Sequence, residues 1–179
     1  VQQRIFVIPI GKVDREVLSA TAAGLAEIYH AQIETGEVVP IPEDAYDRRR
    51  DQYHSTTILH MLEKIVQKLS GRALGVIDRD LFVPELNFVF GEAGMTTGVA
   101  VISVTRLRQE YYSLRPDSGL FLQRTVKEAT HELGHTFGLG HCRDPKCIMR
   151  FSNSLSDTDR KGPGFCSPCR QRLAARSGE

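Results

Sequence analysis

THELGHTFGLGHCRDPKCIM, residues 130–149, is the stretch from which the rest of the chain is read. The whole sequence holds six histidines and four cysteines; His131, His135, His141, Cys142 and Cys147 all fall here. A helix is expected over 119–138. At about 100° per residue, Leu122, Val126, Ala129, Leu133 and Phe137 form a narrow apolar stripe, the face that should pack against a sheet. His131 and His135 lie on the opposite side, four residues apart, so their rings sit one turn above each other and can reach one ion. Glu132 is turned by one residue step, where a carboxylate can address a metal-bound water without becoming a ligand. Gly138 permits the sharp backbone turn that returns His141 as a third ligand.

Three imidazoles leave one position of a tetrahedral zinc open for water, the arrangement of a catalytic rather than a structural site. Zinc lowers the pKa of its bound water from about 15.7 to roughly 7. Glu132 would accept that water's proton during attack on a carbonyl and pass it to the leaving amine. The reaction class is metal-assisted amide hydrolysis. A single histidine on a helix is ordinarily exposed or satisfied within the fold, but the five fixed residues of HExxHxxGxxH are harder to ascribe to chance.

All four cysteines lie at or beyond position 142, as C-x4-C, an 18-residue gap and C-x2-C. In a reducing compartment such clustering favours a metal over two disulfides or free thiols. Cys142, Cys147, Cys166 and Cys169 would form a closed S4 site whose natural ion is a structural zinc. Cys142 directly follows His141, so the two metals are expected within roughly 15 Å of each other. The second zinc would clamp a core-poor tail and thereby position the third ligand.

Outward from this stretch, RIFVIPI (4–10) reads as a buried strand. Residues 15–29 carry a helical period in Val17, Leu18, Thr21, Leu25, Ile28 and Tyr29, with Asp14 as cap. A strand is expected near 31–38 and a charged loop over 41–53. A helix follows, capped by Ser55, with Ile58, Leu59, Leu62, Ile65, Val66 and Leu69 inward and Gly71 as its stop. ALGVIDRDLF (73–82) reads as strand and turn. LNFVFG (86–91) and GVAVISVTRL (98–107) read as two more strands, antiparallel to each other, joined by the Gly-rich turn GEAGMTTG (91–98), whose spacing is no phosphate fingerprint. Strands alternating with helices predict an α/β layer with a mostly parallel, mixed sheet and one antiparallel edge strand. Residues 1–138 are expected to form an α/β subdomain that includes the zinc-binding helix. Residues 139–179 would form a C-terminal subdomain with little regular pattern.

A composition 41% hydrophobic and 25% charged suits a globular chain with a core, and a formal charge of +1 gives no basic excess for nucleic acid. The opposing signs in DRRRD (47–51) argue against a nucleic-acid patch. No apolar run is long enough for a membrane helix, and the N-terminal run lacks the features of a secretory signal. A cytoplasmic monomer is the expectation.

HELGHTFGLGH resembles the extended signature of the metzincin clan of zinc proteases. Its continuation, HCRDPKCIM with FCSPC, is similar to the archaemetzincins, as is AYDRRRDQYHS (45–55). The resemblance implies a twisted sheet with two backing helices above a small zinc-stapled lower subdomain, and a cleft between them. It implies that the antiparallel edge strand, here 86–91, pairs with an extended peptide substrate. It also implies that Met149 occupies the Met-turn beneath the three histidines. Some metzincins carry a Tyr shortly after that turn. RFSNS (150–154) has Phe151 and no Tyr, so transition-state help beyond zinc is expected from Asn153 or backbone.

Arg124 and Glu128 share the face of His131 and His135. They read either as groups that orient the ligands or, more commonly at this spacing, as an exposed i,i+4 ion pair. His30 should end the first helix; His54 and His60 read as surface residues. Two further functions compete with a zinc-dependent peptidase or aminopeptidase. A non-catalytic zinc module that binds a peptide or protein would need no base, yet Glu132 is present. A nucleic-acid binder built on the cysteine knuckle is opposed by the neutral charge and by having only Phe151 and Phe165 as nearby aromatics.

Overall fold

The apolar run at the N-terminus becomes β1 (Arg4–Ile10), the second strand of a five-stranded sheet buried on both faces. Its alternation sorts the core: Ile5 and Val7 join one hydrophobic cluster, Phe6, Ile8 and Ile10 the other. The computed structural model describes residues 3–177. After β1 come α1 (Arg15–Tyr29) and β2 (Gln32–Thr35). Asp14 caps α1, its side chain accepting from the Glu16 amide at 2.9 Å, and His30 ends it in the left-handed region at φ 51°.

The expected loop over 41–53 contains instead β3 (Tyr46–Asp47) and β4 (Gln52–His54), joined by the charged turn. With β6 (Leu81–Phe82) they make a second, three-stranded sheet. Gln52 holds it in place, its side-chain amide donating to Asp80 and to the Asn87 carbonyl. These pairings are too short for sequence periodicity to register.

α2 (Ser55–Val66) buries Ile58, Leu59, Leu62 and Val66 as expected. Two details differ. His54 is the N-cap residue, and Ser55 lies inside the helix with its hydroxyl on Glu92. The helix also ends well before Gly71. Gly71 abuts the Arg4 carbonyl, so what it serves is close strand packing rather than helix termination.

β5 (Arg72–Ile77) lies beside β1, and β8 (Val99–Ser103) beside β5, so the order is β2-β1-β5-β8-β7 with β7 (Gly91–Gly94) at the edge. β7 is antiparallel to β8; the other pairs are parallel. The antiparallel edge strand is therefore present, but not at 86–91. Leu86 to Phe90 form a loop in which Val89 makes one isolated bridge to Leu81. Pairing with β8 begins at the Phe90 carbonyl, which accepts from the Ser103 amide at 2.8 Å. The apolar side chains of that loop line a cavity instead of pairing in the sheet. The first half of the expected glycine-rich turn 91–98 is this strand, which passes close against the next helix at Gly91.

That helix is α3 (Ser118–Thr136), capped by Asp117, whose carboxylate accepts from the Leu120 amide. α1 and α3 cover one face of the main sheet and α2 the other. Ala129, Leu133 and Phe137 of the expected stripe are buried. Leu122 and Val126 are half-buried, with Val126 set where a Cβ on Gly24 of α1 would stand.

The tail is more regular than its sequence suggests. α4 (Leu155–Arg160) opens with a reciprocal cap: Ser154 accepts from the Asp157 amide, and the Asp157 carboxylate accepts from the Asn153 amide and the Ser154 hydroxyl. α5 (Ser167–Ser177) packs through Cys169 and Leu173, with Arg176 donating to the Phe137 carbonyl at the end of α3.

Candidate metal centre and cleft

His131 and His135 project from the last two turns of α3, as their spacing requires. His131 Nδ1 lies 2.9 Å from the Ile148 carbonyl and His135 Nδ1 2.7 Å from the Leu139 carbonyl. A carbonyl only accepts, so each Nδ1 carries the proton and each Nε2 is left with a lone pair. The two Nε2 atoms face each other at 3.1 Å. Two acceptors aimed at one spot repel unless a cation lies between them. Gly138 has φ +74°, and the chain turns there to bring back His141. The His141 ring sits 5.4 Å from that of His131 and 4.9 Å from that of His135, and the three ligand atoms lie within 4.8 Å of one another. Burial first, with the Lys161 charge among the further causes, shifts all three histidines below their usual range, which favours the neutral form that ligates. Zn–N bonds of about 2.0–2.1 Å place tetrahedral nitrogens about 3.3 Å apart, close to the 3.1 Å between His131 and His135 Nε2. The donor set fits zinc.

Cys142, Cys147, Cys166 and Cys169 form a second group with all sulfurs within 4.8 Å, and none is in a disulfide. Cys142 and Cys166 Sγ are 3.8 Å apart, the separation that about 2.3 Å Zn–S bonds impose on a tetrahedron. The Cys166 amide donates to Cys147 Sγ at 3.4 Å, and burial pushes the Cys147 and Cys169 thiols up. These residues fit a closed structural metal site. The Cys142 amide also donates to the Met149 carbonyl at 2.9 Å, tying the cluster to the turn under the histidines. Met149 is fully buried, its sulfur packed where a Cβ on Gly134 would stand.

Glu132 is 7% exposed and lines a cavity of about 250 Å³ together with the three histidines. Burial, then the Glu128 and Glu92 charges, push it up to about 8, while Lys161 pulls it down. The cavity is also lined by Leu86, Phe88, Val89 and Phe90 and by Phe151, Ser152 and Asn153. The Phe151 ring lies 5.0 Å from His141. Gly91 lets β7 pass Glu132: a Cβ there would lie 2.6 Å from Glu132 Cγ and 2.6 Å from the Val101 carbonyl oxygen.

Arg124 and Glu128 are not an exposed pair. Arg124 is 3% exposed, makes a two-pronged bond to Asp159 at 2.7 Å on each prong, and donates to the Leu107 carbonyl. Glu128 accepts from Thr158 and faces Lys161 at 2.9 Å. Their partners come from the tail some thirty residues on, where no local spacing announces them. Tyr29 was likewise placed on α1's buried face but not in its second role: its hydroxyl donates to the Thr130 carbonyl at 2.7 Å, just before the first histidine.

With this geometry in view, residues 13–175 match the sequence model described as Peptidase family M54. The archaemetzincin of Pyrococcus furiosus is 42% identical over 181 residues, covering 97% of this chain and 94% of that protein. The crystal structure of the archaemetzincin from Methanopyrus kandleri superimposes with a TM-score of 0.83 at 37% identity, covering 99% of this chain and 97% of that one. A zinc-dependent peptidase from Methanocorpusculum labreanum gives a TM-score of 0.87 at 30% identity, covering 94% and 99%.

Proposed function

The chain belongs to Peptidase family M54, the archaemetzincins, and is a metzincin-type zinc metallopeptidase; on that premise we propose that it hydrolyses peptide bonds with Glu132 as the general base. His131, His135 and His141 hold the zinc, and Cys142, Cys147, Cys166 and Cys169 hold a second, structural one. The observation that carries this reading is the pair of Nε2 lone pairs converging at 3.1 Å beside a buried carboxylate. When bound, zinc supplies the Lewis acidity that polarises a carbonyl and makes water acidic near neutrality.

The chain's own residues do the rest. The Ile148 and Leu139 carbonyls fix the tautomer of two ligands and the angle of their rings. Glu132 takes the proton of the attacking water and hands it to the leaving amine. The outer edge of β7 pairs with the peptide backbone, in the role expected of 86–91. Asn153, on the cavity wall, donates to the carbonyl oxygen as charge develops there.

A zinc-loaded Glu132→Gln variant is expected to keep both metals and lose about 10²–10⁴ of turnover on a peptide library. Equal turnover by the variant would remove Glu132 as the base; no turnover by the zinc-loaded wild type would remove the catalytic reading and leave a zinc module that only binds peptides.

A further inference from the structure

Lys161 is fully buried, the largest side chain of the described residues to be so. It follows α4 and delivers its ammonium 2.9 Å from Glu128 Oε1. Glu128 is itself 2% exposed, and its other neighbour is the Thr158 hydroxyl at 2.9 Å. A buried lysine–glutamate pair is a poor stabilising device, since apolar residues of similar volume commonly do as well or better.

Its place suggests a different use. Glu128 lines the cavity that holds His131, His135 and His141. It stands on α3 three residues before His131 and four before Glu132, on the helix face they share. A carboxylate lining a zinc site is itself a good zinc ligand, and a fourth protein ligand closes a catalytic site. Glu132 must be free to act as a base, so Glu128 is the neighbour that has to be kept away.

We infer that Lys161 is a positioning residue that holds the Glu128 carboxylate off the metal and so preserves the open coordination position. The inference rests on the peptidase reading for its purpose but not for its test.

The test is the rate of zinc loss to a chromophoric chelator, with release from the cysteine cluster measured in a His131→Ala/His135→Ala background and subtracted. Lys161→Met frees Glu128 to ligate. Zinc should then leave the histidine site about tenfold more slowly than from wild type, and turnover should fall by about tenfold or more. Lys161→Arg keeps the charge and should match wild type in both. Glu128→Gln/Lys161→Met removes the intruding carboxylate and should return release and turnover to near wild type. A merely structural lysine predicts the opposite sign: its loss loosens the site and zinc leaves faster. Release from Lys161→Met as fast as or faster than from wild type overturns the inference. Should that variant fail to fold, Lys161→Gln, which keeps the length and loses the charge, is read in the same way. Zinc-loaded wild type without turnover would refute the peptidase reading, while the release rates would still decide the role of Lys161.

Discussion

Glu132 is a carboxyl group held where carboxylates are uncomfortable, and its environment has a sign that can be measured. Without metal its pKa stands at about 8, against 4.5 ordinarily, chiefly through burial. Between those values the folded state keeps a proton that the unfolded chain releases, so folding loses ground as pH rises through that window. Glu132→Gln removes the titration. The melting temperature of the metal-free variant should gain on metal-free wild type from about pH 5 to about pH 8, and a difference independent of pH would contradict the burial of the base. Gly91 is the second residue-scale test. An Ala Cβ there meets Glu132 Cγ and the Val101 carbonyl, each at 2.6 Å, and the carbonyl cannot yield easily. Gly91→Ala should displace the base and lower turnover by about a hundredfold while zinc content is kept. The grouping of His131, His135 and His141 beside Glu132 was legible because five residues of three types at fixed spacing on one helix and its exit turn describe a site locally. Gly91 was not, because its neighbour lies forty positions on and a glycine run carries no side-chain pattern.

At the scale of elements, α3 is held from three sides. Tyr29 of α1 bonds the Thr130 carbonyl, β7 passes Glu132, and α4 presents Asp159 to Arg124. The last of these ties the tail to the zinc-binding helix. Asp159→Ala leaves the Arg124 guanidinium buried without its partner. Because the Asp159 side chain is 36% exposed, the expected cost is about 2 kcal/mol, below that of a fully buried pair. For a chain of this size that is a fall of about 4–8 °C in melting temperature, measurable by calorimetry on the zinc-loaded protein; an unchanged value would show that α4 docks by other means. The three long helices could be read from their period, and the strands of the main sheet other than β7 from short apolar runs between helices. The edge strand could not, since LNFVF has strand composition but lines the cavity, while GEAG lacks that composition and pairs. α4 had a readable signal in Ser154-x-x-Asp157, a cap pattern outweighed by the short helix it opens.

For the molecule as a whole, the two ligand clusters, His131/His135/His141 and Cys142/Cys147/Cys166/Cys169, sit where the tail meets α3. The cysteine cluster joins the turn carrying Met149 to α5, and through the Cys142 amide it fixes the residue after His141. Chelation should therefore act in two stages: loss of turnover first, then faster proteolysis of residues 142–177 as the thiolate site empties. Cleavage unchanged after complete zinc removal would show that the tail is held by its helices. Among the described residues no helix is long and apolar enough to cross a membrane. The central claim is that one ion is gripped by His131, His135 and His141, and an anomalous difference map at the zinc edge, from crystals of the zinc-loaded protein, tests it most directly. Two peaks are expected per chain, one about 2.0–2.1 Å from a nitrogen of each of the three rings and one about 2.3 Å from each of the four sulfurs. A map with density at the sulfurs alone, or with the three rings splayed and Glu132 turned away from any ion, would contradict it.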